Sequence, residues 1–291
     1  MKTKKTITEI IRKRYSCRTY IKRPVENDLK DQLEQFLADS PAGPFGSRSR
    51  FELIMATDED RDALKGLGAY GFIKDPAGFI VSAIRQSPKN LEDFGYVMER
   101  NILYATDLGL GTCWLGGSFT RSAFAKKIRA GEDETLPAVA AIGYMASKMG
   151  MVEKAIRWGA GAENRKPWKA LFFKNGFNEC LSPEDTGKWA DPLEMVRIAP
   201  SASNRQPWRI VYESTTGSFH FYLQRTKGYQ SRNKTMFGMA DLQRVDMGIA
   251  MCHFEMTCND SGLSGKWVFH EPDIGNLPES TTYVTSWETS R

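Results

Sequence analysis

Near the start of the chain, Ile7, Ile10 and Ile11 fall at i, i+3 and i+4, which predicts a short amphipathic helix over 7–13. Arg14 to Tyr20 then reads as extended chain. Pro24 opens a second helix whose Val25, Leu29, Leu33, Phe36 and Leu37 form one stripe, and the Pro- and Gly-rich stretch 40–46 ends it. Phe51–Ala56 and Gly78–Ala83 have the apolar content of strands, with turn-rich sequence over 66–76 between them. A long helix is predicted from about Leu91 to Leu108, stopped by Gly109, and Leu136–Tyr144 reads as a buried strand.

The second half repeats this order. Pro192–Ile198 reads as a helix, a proline-stiffened loop follows, and Arg209–Tyr212 and Phe219–Leu223 read as strands around the Thr216-Gly217 turn. A long helix runs from about Ala240 to Cys258. It exits through Asp260-Ser261-Gly262-Leu263-Ser264-Gly265-Lys266-Trp267, and the first long helix exits through Asp107-Leu108-Gly109-Leu110-Gly111-Thr112-Cys113-Trp114. A weak repeat at a period of roughly 150 residues is far longer than a solenoid unit and points to a duplicated domain. The halves divide at 1–175 and 176–291, with 149–187 as the crossover between them.

Composition narrows the function. A chain of 291 residues, 41% hydrophobic and 26% charged, can bury a sizeable core. The net charge of +5 suits anionic small molecules and is too diffuse to argue for nucleic acid. The basic start has no apolar run behind it, and the most apolar segment, 136–146, is too short to span a bilayer, so a soluble cytoplasmic protein is expected. Five cysteines without a CxxC pair read as reduced, mostly buried thiols. Three scattered histidines offer no ligand spacing, so no metal is expected.

Chemistry concentrates in three segments. Arg14-x-Ser16-x-Arg18 alternates along extended chain, so two guanidinium groups and a hydroxyl would share one face and could grip a phosphate, with Tyr15 and Cys17 turned away. Cys17 has no nearby histidine to activate it, which favours burial over a nucleophilic role. Ala199-Pro200-Ser201-Ala202-Ser203-Asn204-Arg205-Gln206-Pro207-Trp208 puts hydroxyls and two amides on a stretch held stiff by two prolines, suited to hydrogen-bonding a polar ring. Gly109–Gly117 carries four glycines, which let backbone approach a flat ligand. It lacks the GxGxxG order and the preceding strand of a dinucleotide fold.

RYSCRTY, LGLGTCWLGG and APSASNRQPW resemble the signature segments of the FMN-dependent nitroreductase family. The resemblance implies an α+β, nitroreductase-like fold of two related halves, each a mainly antiparallel sheet flanked by helices, forming a pseudo-dimer within one chain. Ordinary members hold FMN at a subunit interface. By the resemblance, Arg14, Tyr15, Ser16 and Arg18 match the segment that holds the phosphate end, and Pro200, Ser201, Ala202, Asn204 and Gln206 match the segment supplied by the partner subunit. Leu115, Gly116 and Gly117 match the loop whose backbone faces flavin N5. Arg165 and Lys166 match a late basic pair that closes on the phosphate, and Lys74 falls near a lysine placed beside flavin N1 and O2. The first half has Ser40–Arg50 where its own Ser-x-x-Asn-x-Gln should stand, and the second half has no Arg-x-Ser-x-Arg. One flavin per chain is therefore expected.

The implied function is transfer of hydride from NADH or NADPH, by way of FMN, to a small oxidant such as a nitroaromatic or quinone. No side chain is then an obligatory catalytic acid or base. Small-molecule substrates are the expected partners, with no nucleic acid and no membrane, and association beyond the intrachain pseudo-dimer is left open. The alternative is a flavin-binding sensor or storage protein without efficient turnover. A basic interaction protein with no flavin would require the Ser201–Trp208 segment to be coincidental.

Overall fold

Thr6 starts the first helix with a reciprocal cap: its side chain accepts from Glu9 N–H and the Glu9 carboxylate accepts from Thr6 N–H. The computed structural model describes residues 3–56, 63–65, 67, 71–147, 154–155, 159, 161, 164–229 and 240–290. Helix α1 (Ile7–Lys13) buries Ile7, Ile10 and Ile11, as their spacing predicts. Helix α2 (Asn27–Ala38) begins later than Pro24 and buries Leu33 and Leu37. Strand β1 (Ser49–Met55), β2 (Gly78–Arg85), α3 (Asn90–Asp107) and β3 (Gly111–Leu115) follow. Helix α4 (Arg121–Lys127), the two-residue β4 (Glu134–Thr135) and β5 (Val139–Gly143) complete the first sheet.

In the second part come β6 (Phe172–Lys174), α5 (Ala190–Arg197), β7 (Trp208–Glu213), β8 (Ser218–Gln224), α6 (Leu242–Asp260), β9 (Gly265–Val268) and β10 (Thr281–Thr289). The sheets run in the orders β1-β2-β5-β3, with β4 against β2, and β6-β7-β8-β10-β9. Every pairing is antiparallel except that of β6 with β7. Both sheets share one connectivity: a hairpin, a long helix, an edge strand, then a last strand inserted between the edge and the hairpin. Phe172–Lys174 precedes residue 176 in sequence, yet it is hydrogen-bonded into the second sheet.

Two differences from the sequence pattern have physical causes. The glycine-rich stretch 109–117 is largely strand, because Gly111–Leu115 pairs with β5 along its whole length. Strand β10 is rich in Thr and Ser and shows little hydrophobic alternation. Its buried Ser286 is satisfied internally, with Oγ 2.7 Å from both His220 Nδ1 and the Tyr283 hydroxyl.

The halves meet at α3 and α6. Gly95 and Gly248 sit at equivalent places on these helices: a Cβ at Gly95 would collide with the Val245 carbonyl oxygen, and one at Gly248 with that of Glu92. Beyond the crossing, the two helices end in Asp107 and Asp260, whose carboxylates accept from Lys4 N–H (2.8 Å) and Ile7 N–H (3.0 Å). The start of the chain is therefore pinned across both halves. Gly95→Ala and Gly248→Ala should each lower stability by about 1–3 kcal/mol through overpacking at this crossing. The urea midpoint reads the loss, and the double variant should cost less than the sum because both changes relax the same contact.

Candidate functional site

Arg14 caps α1 in an extended conformation, and the chain beyond it runs onto the edge of the first sheet. Ser16 bridges Thr112 in parallel, and Cys17 N–H donates to the Thr112 carbonyl at 2.9 Å. Gly111 allows this approach, since a Cβ there would stand 3.2 Å from Cys17 Cβ and 2.5 Å from Met145 Cγ. Gly116 and Gly117 follow β3 directly, so two segments a hundred residues apart lie side by side. Gly116 is pressed by α6, because a Cβ on it would lie 2.5 Å from Leu242 Cδ1.

The second half contributes the loop between α5 and β7. Ser201 Oγ accepts from Gln206 N–H at 2.9 Å, closing the loop on itself. Within it Ser203, Asn204 and Gln206 all have left-handed backbones, with φ of 49°, 52° and 48°. Such a run is strained for non-glycine residues and needs outside support. Part of that support is Asp246 on α6, whose Oδ1 accepts from Ala202 N–H at 2.9 Å. The remainder comes from Gly161, Asn164, Arg165 and Lys166. Asn204 Oδ1 accepts from Arg165 Nη1 (3.1 Å) and Gln206 Nε2 (3.1 Å), while its Nδ2 donates to the carbonyls of Gly161 (2.6 Å) and Asn164 (2.8 Å). Gln206 Oε1 accepts from Lys166 N–H at 2.8 Å.

A cavity of about 240 Å³ lies where these parts converge. From the first half it is lined by Ser16, Arg18, Trp114, Gly116, Gly117, Ser118 and Ala138, and from the second by Pro200–Ser203, Tyr229, Leu242, Val245, Asp246 and Ile249. Behind Trp114 is a buried charge network. Trp114 Nε1–H donates to Glu99 Oε2 at 2.7 Å, His253 Nε2 lies 2.9 Å from Glu99 Oε1, and Arg14 Nε lies 3.7 Å from that oxygen. Burial pushes the Glu99 carboxyl up, but the His253 hydrogen bond and the Arg14 charge together hold it below the usual range. Arg14 Nε and Nη1 are buried without a hydrogen-bond partner.

A family model described as "Putative TM nitroreductase" matches residues 6–258. The chain belongs to this family. The crystal structure of a "putative nitroreductase" from Thermotoga maritima is 18% identical, with 99% of this chain and 95% of that one covered and a TM-score of 0.61, which supports the fold. A nitroreductase family protein from Clostridium difficile matches 50% of this chain and 88% of its own at 20% identity and a TM-score of 0.39. A nitroreductase from Exiguobacterium sibiricum in complex with FMN matches 50% of this chain and 91% of its own at 15% identity and a TM-score of 0.40. Likenesses that loose add nothing to the fold. No curated protein matches the chain by sequence.

In this nitroreductase-family chain the predicted site residues divide into two groups. Ser16, Arg18, Gly116, Gly117, Pro200, Ser201 and Ala202 line the cavity together. The remaining eight do not. Arg14 turns inward to Glu99 instead of sharing a face with Ser16 and Arg18. Tyr15 packs against an apolar cluster that includes Cys17, Phe79 and Phe124, and Leu115 is buried within it. Lys74 pairs through its backbone with Arg18 and Tyr20. Asn204, Gln206, Arg165 and Lys166 bind one another behind the loop, so the two amides shape the site rather than face it. The sequence reading missed the α6 contribution. Leu242, Val245, Asp246 and Ile249 fall at i, i+3, i+4 and i+7, and a carboxylate on an apolar stripe was the available signal.

Among the described residues no group of three or more His, Cys, Asp or Glu could hold a metal, and no helix is long and apolar enough to cross a membrane. Asn204→Ala removes all four side-chain bonds of Asn204 and also places alanine at a left-handed position. It should destabilise the loop by about 1–3 kcal/mol, seen as faster hydrogen exchange at Ala202 and Gln206. Asn204→Gly, which accommodates the backbone, should recover a minor part of that loss.

Proposed function

We propose that this chain is an FMN-dependent oxidoreductase that takes hydride from NADH or NADPH and passes it to a small oxidant such as a nitroaromatic or quinone. The observation that carries this reading is the single cavity built from Ser16, Arg18, Gly116 and Gly117 of one half and Pro200–Ala202 of the other. Membership of the nitroreductase family agrees with it. The residues present fit the group. Arg18 supplies a guanidinium for a phosphate, the buried Arg14 has two unpartnered nitrogens close behind, and Ser201, whose oxygen already accepts, keeps its hydroxyl proton to donate. The backbone of Gly116 and Gly117 lets a flat ring approach closely.

When bound, FMN would supply the redox centre, and the protein would supply grip, orientation and electrostatics. Ser16 and Arg18 would anchor the anionic end, and the braced Ser201–Gln206 loop would fix the height of the ring against Gly116. The repeat also explains why one site is expected. Gly116 stands two residues beyond Trp114, whereas the residue two beyond Trp267 is Phe269, an exposed ring with Lys89 Nζ 5.2 Å from its centroid. The counterpart cavity there, about 960 Å³ and lined by Phe45–Arg50, Lys89 and Phe269, has an aromatic side chain where the first has glycine backbone.

Purified protein should be yellow, hold one FMN per chain and bleach anaerobically on addition of NADH or NADPH. A colourless chain that takes up no FMN in titration would overturn the assignment, and FMN uptake without oxidation of either donor would favour the sensor or storage reading. The Lys166 ammonium provides a pH test. Burial, with the charges of Arg209 and Arg205 adding to it, lowers its pKa to about 8. Lys166 does not line the cavity, so a bound phosphate dianion would favour its charged form only over a distance, and its pKa should rise slightly on binding. FMN affinity should therefore be highest below pH 8 and fall as pH rises above it. Lys166→Met should flatten that slope in a fluorescence titration.

A further inference from the structure

The duplication supplies an internal control for one cavity residue. Asp93 on α3 and Asp246 on α6 each stand two residues before the glycine at the helix crossing, and each holds the loop that precedes a sheet's first hairpin. Asp93 commits both oxygens: Oδ1 accepts from Phe45 N–H and Oδ2 from Ser47 N–H, each at 2.8 Å. Asp246 commits one. Its Oδ1 accepts from Ala202 N–H, while Oδ2 is buried with no partner, although the residue is only 2% exposed and lines the cavity. The first half, whose loop would need an Arg-x-Ser-x-Arg segment that the second half lacks, has thus closed its carboxylate on the backbone. The second half, whose loop shares the cavity with Ser16 and Arg18, has left one oxygen for something else.

An unmatched buried carboxyl oxygen is costly, and more so when ionised. Burial pushes the Asp246 carboxyl well above the usual carboxylate range, and the Asp241 carboxylate adds to this, while the Ala202 N–H pulls the other way. Asp241 is itself paired with Arg225 at 2.7 Å. Arg18 is the cation that lines the same cavity. A neutral carboxyl whose Oδ1 accepts from an N–H carries its proton on Oδ2, the oxygen without a protein partner.

We propose that Asp246 is a hydrogen-bond donor to the ligand in this cavity, its Oδ2–H meeting an acceptor on the edge of the bound ring, a carbonyl oxygen or an imine nitrogen. The proposal rests on the FMN reading of the site, whose ring system carries such acceptors. It adds a contact that no motif marks and makes the cavity selective for a ring that presents an acceptor, rather than a donor, to α6. No proton is transferred in the contact. The acid orients the ring and remains an acid.

The test uses the full chain stripped of FMN, with Asp246→Asn, Asp246→Leu and Asp93→Asn variants and circular dichroism as the folding check. Infrared spectra of the FMN-free protein should contain a protonated-carboxyl band that Asp246→Asn removes, and in the parent chain FMN should shift that band to lower frequency. Asp246→Asn can accept from Ala202 N–H and donate from its NH₂, so its FMN dissociation constant should stay within about threefold of the parent. Asp246→Leu, which can do neither, should bind about tenfold or more weakly, the loss expected for a buried hydrogen bond. Asp93→Asn should leave FMN affinity unchanged while lowering the melting temperature. Absence of the band, no shift on binding, or equal losses in the Asn and Leu variants would overturn the proposal. If the parent chain takes up no FMN, the flavin reading itself fails and the proposal with it. That failure is told apart because the ones above occur in protein that binds FMN.

Discussion

The contact between α3 and α6 is the constraint on which the rest depends. Two glycines let the helix backbones approach to a distance that no side chain permits. Because the long helices carry equivalent residues in equivalent places, one close crossing fixes both halves at once. It sets α6 against Gly116 through Leu242, and it carries Asp246 to the loop at Ala202. The cavity is thus a by-product of helix packing. Its floor and walls come from elements whose relative position is decided at Gly95 and Gly248.

The buried network behind Trp114 serves the same seam with charge. Glu99 on α3 meets His253 on α6, and His253 Nδ1 lies 2.9 Å from the Met195 carbonyl on α5. A carbonyl oxygen can only accept, so Nδ1 carries a proton there. Glu99 also faces Arg14, whose guanidinium retains two nitrogens without hydrogen-bond partners. Charges so deeply buried are tolerated only when paired and hydrogen-bonded, and removing one member would leave the others exposed to the low dielectric. The arrangement sets the Arg14–Glu99 ion pair, with two guanidinium nitrogens still lacking hydrogen bonds, next to a cavity whose proposed occupant is an anion.

Long periodic segments were legible in the sequence. The stripe over α2 declares itself because burial on one face imposes a period, while the long helices and the β7–β8 hairpin declare themselves as apolar runs buried on nearly every side. The paired motifs were legible too, and the structure joins Ser16 and Arg18 with Gly116, Gly117 and Ser201. Strand β3 was hidden because its one glycine, Gly111, is there for close approach to Cys17 and more glycines flank it, and glycine otherwise argues against a strand. Asn204 and Gln206 were read as facing a ring, but spacing cannot say which side of a loop an amide serves, and Gly161, Asn164, Arg165 and Lys166 claim both. Asp246 escaped because a lone carboxylate within a helix has no spacing to recognise. Only its place on an apolar stripe set it apart.

The two halves differ most where the proposed cofactor would make the difference. Each loop before a first hairpin still hangs from an aspartate on the long helix, so that anchor is a requirement of the fold. The glycine after β3 has become Phe269 after β9, and the cation beneath it, Lys89, also faces the Phe45 ring with its Nζ 5.7 Å from the centroid. Burial lowers the pKa of Lys89, with the ammonium held between two aromatic faces. Aromatic rings and a desolvated cation from both halves thus line the counterpart cavity, whose ligand-binding motif is incomplete. Duplication preserved the helix crossing in both halves because the packing of the whole chain needs it. On one side Ser16 and Arg18 share a cavity with Pro200–Ser203, whereas on the other Phe45–Arg50, Lys89 and Phe269 line a wider one without that set.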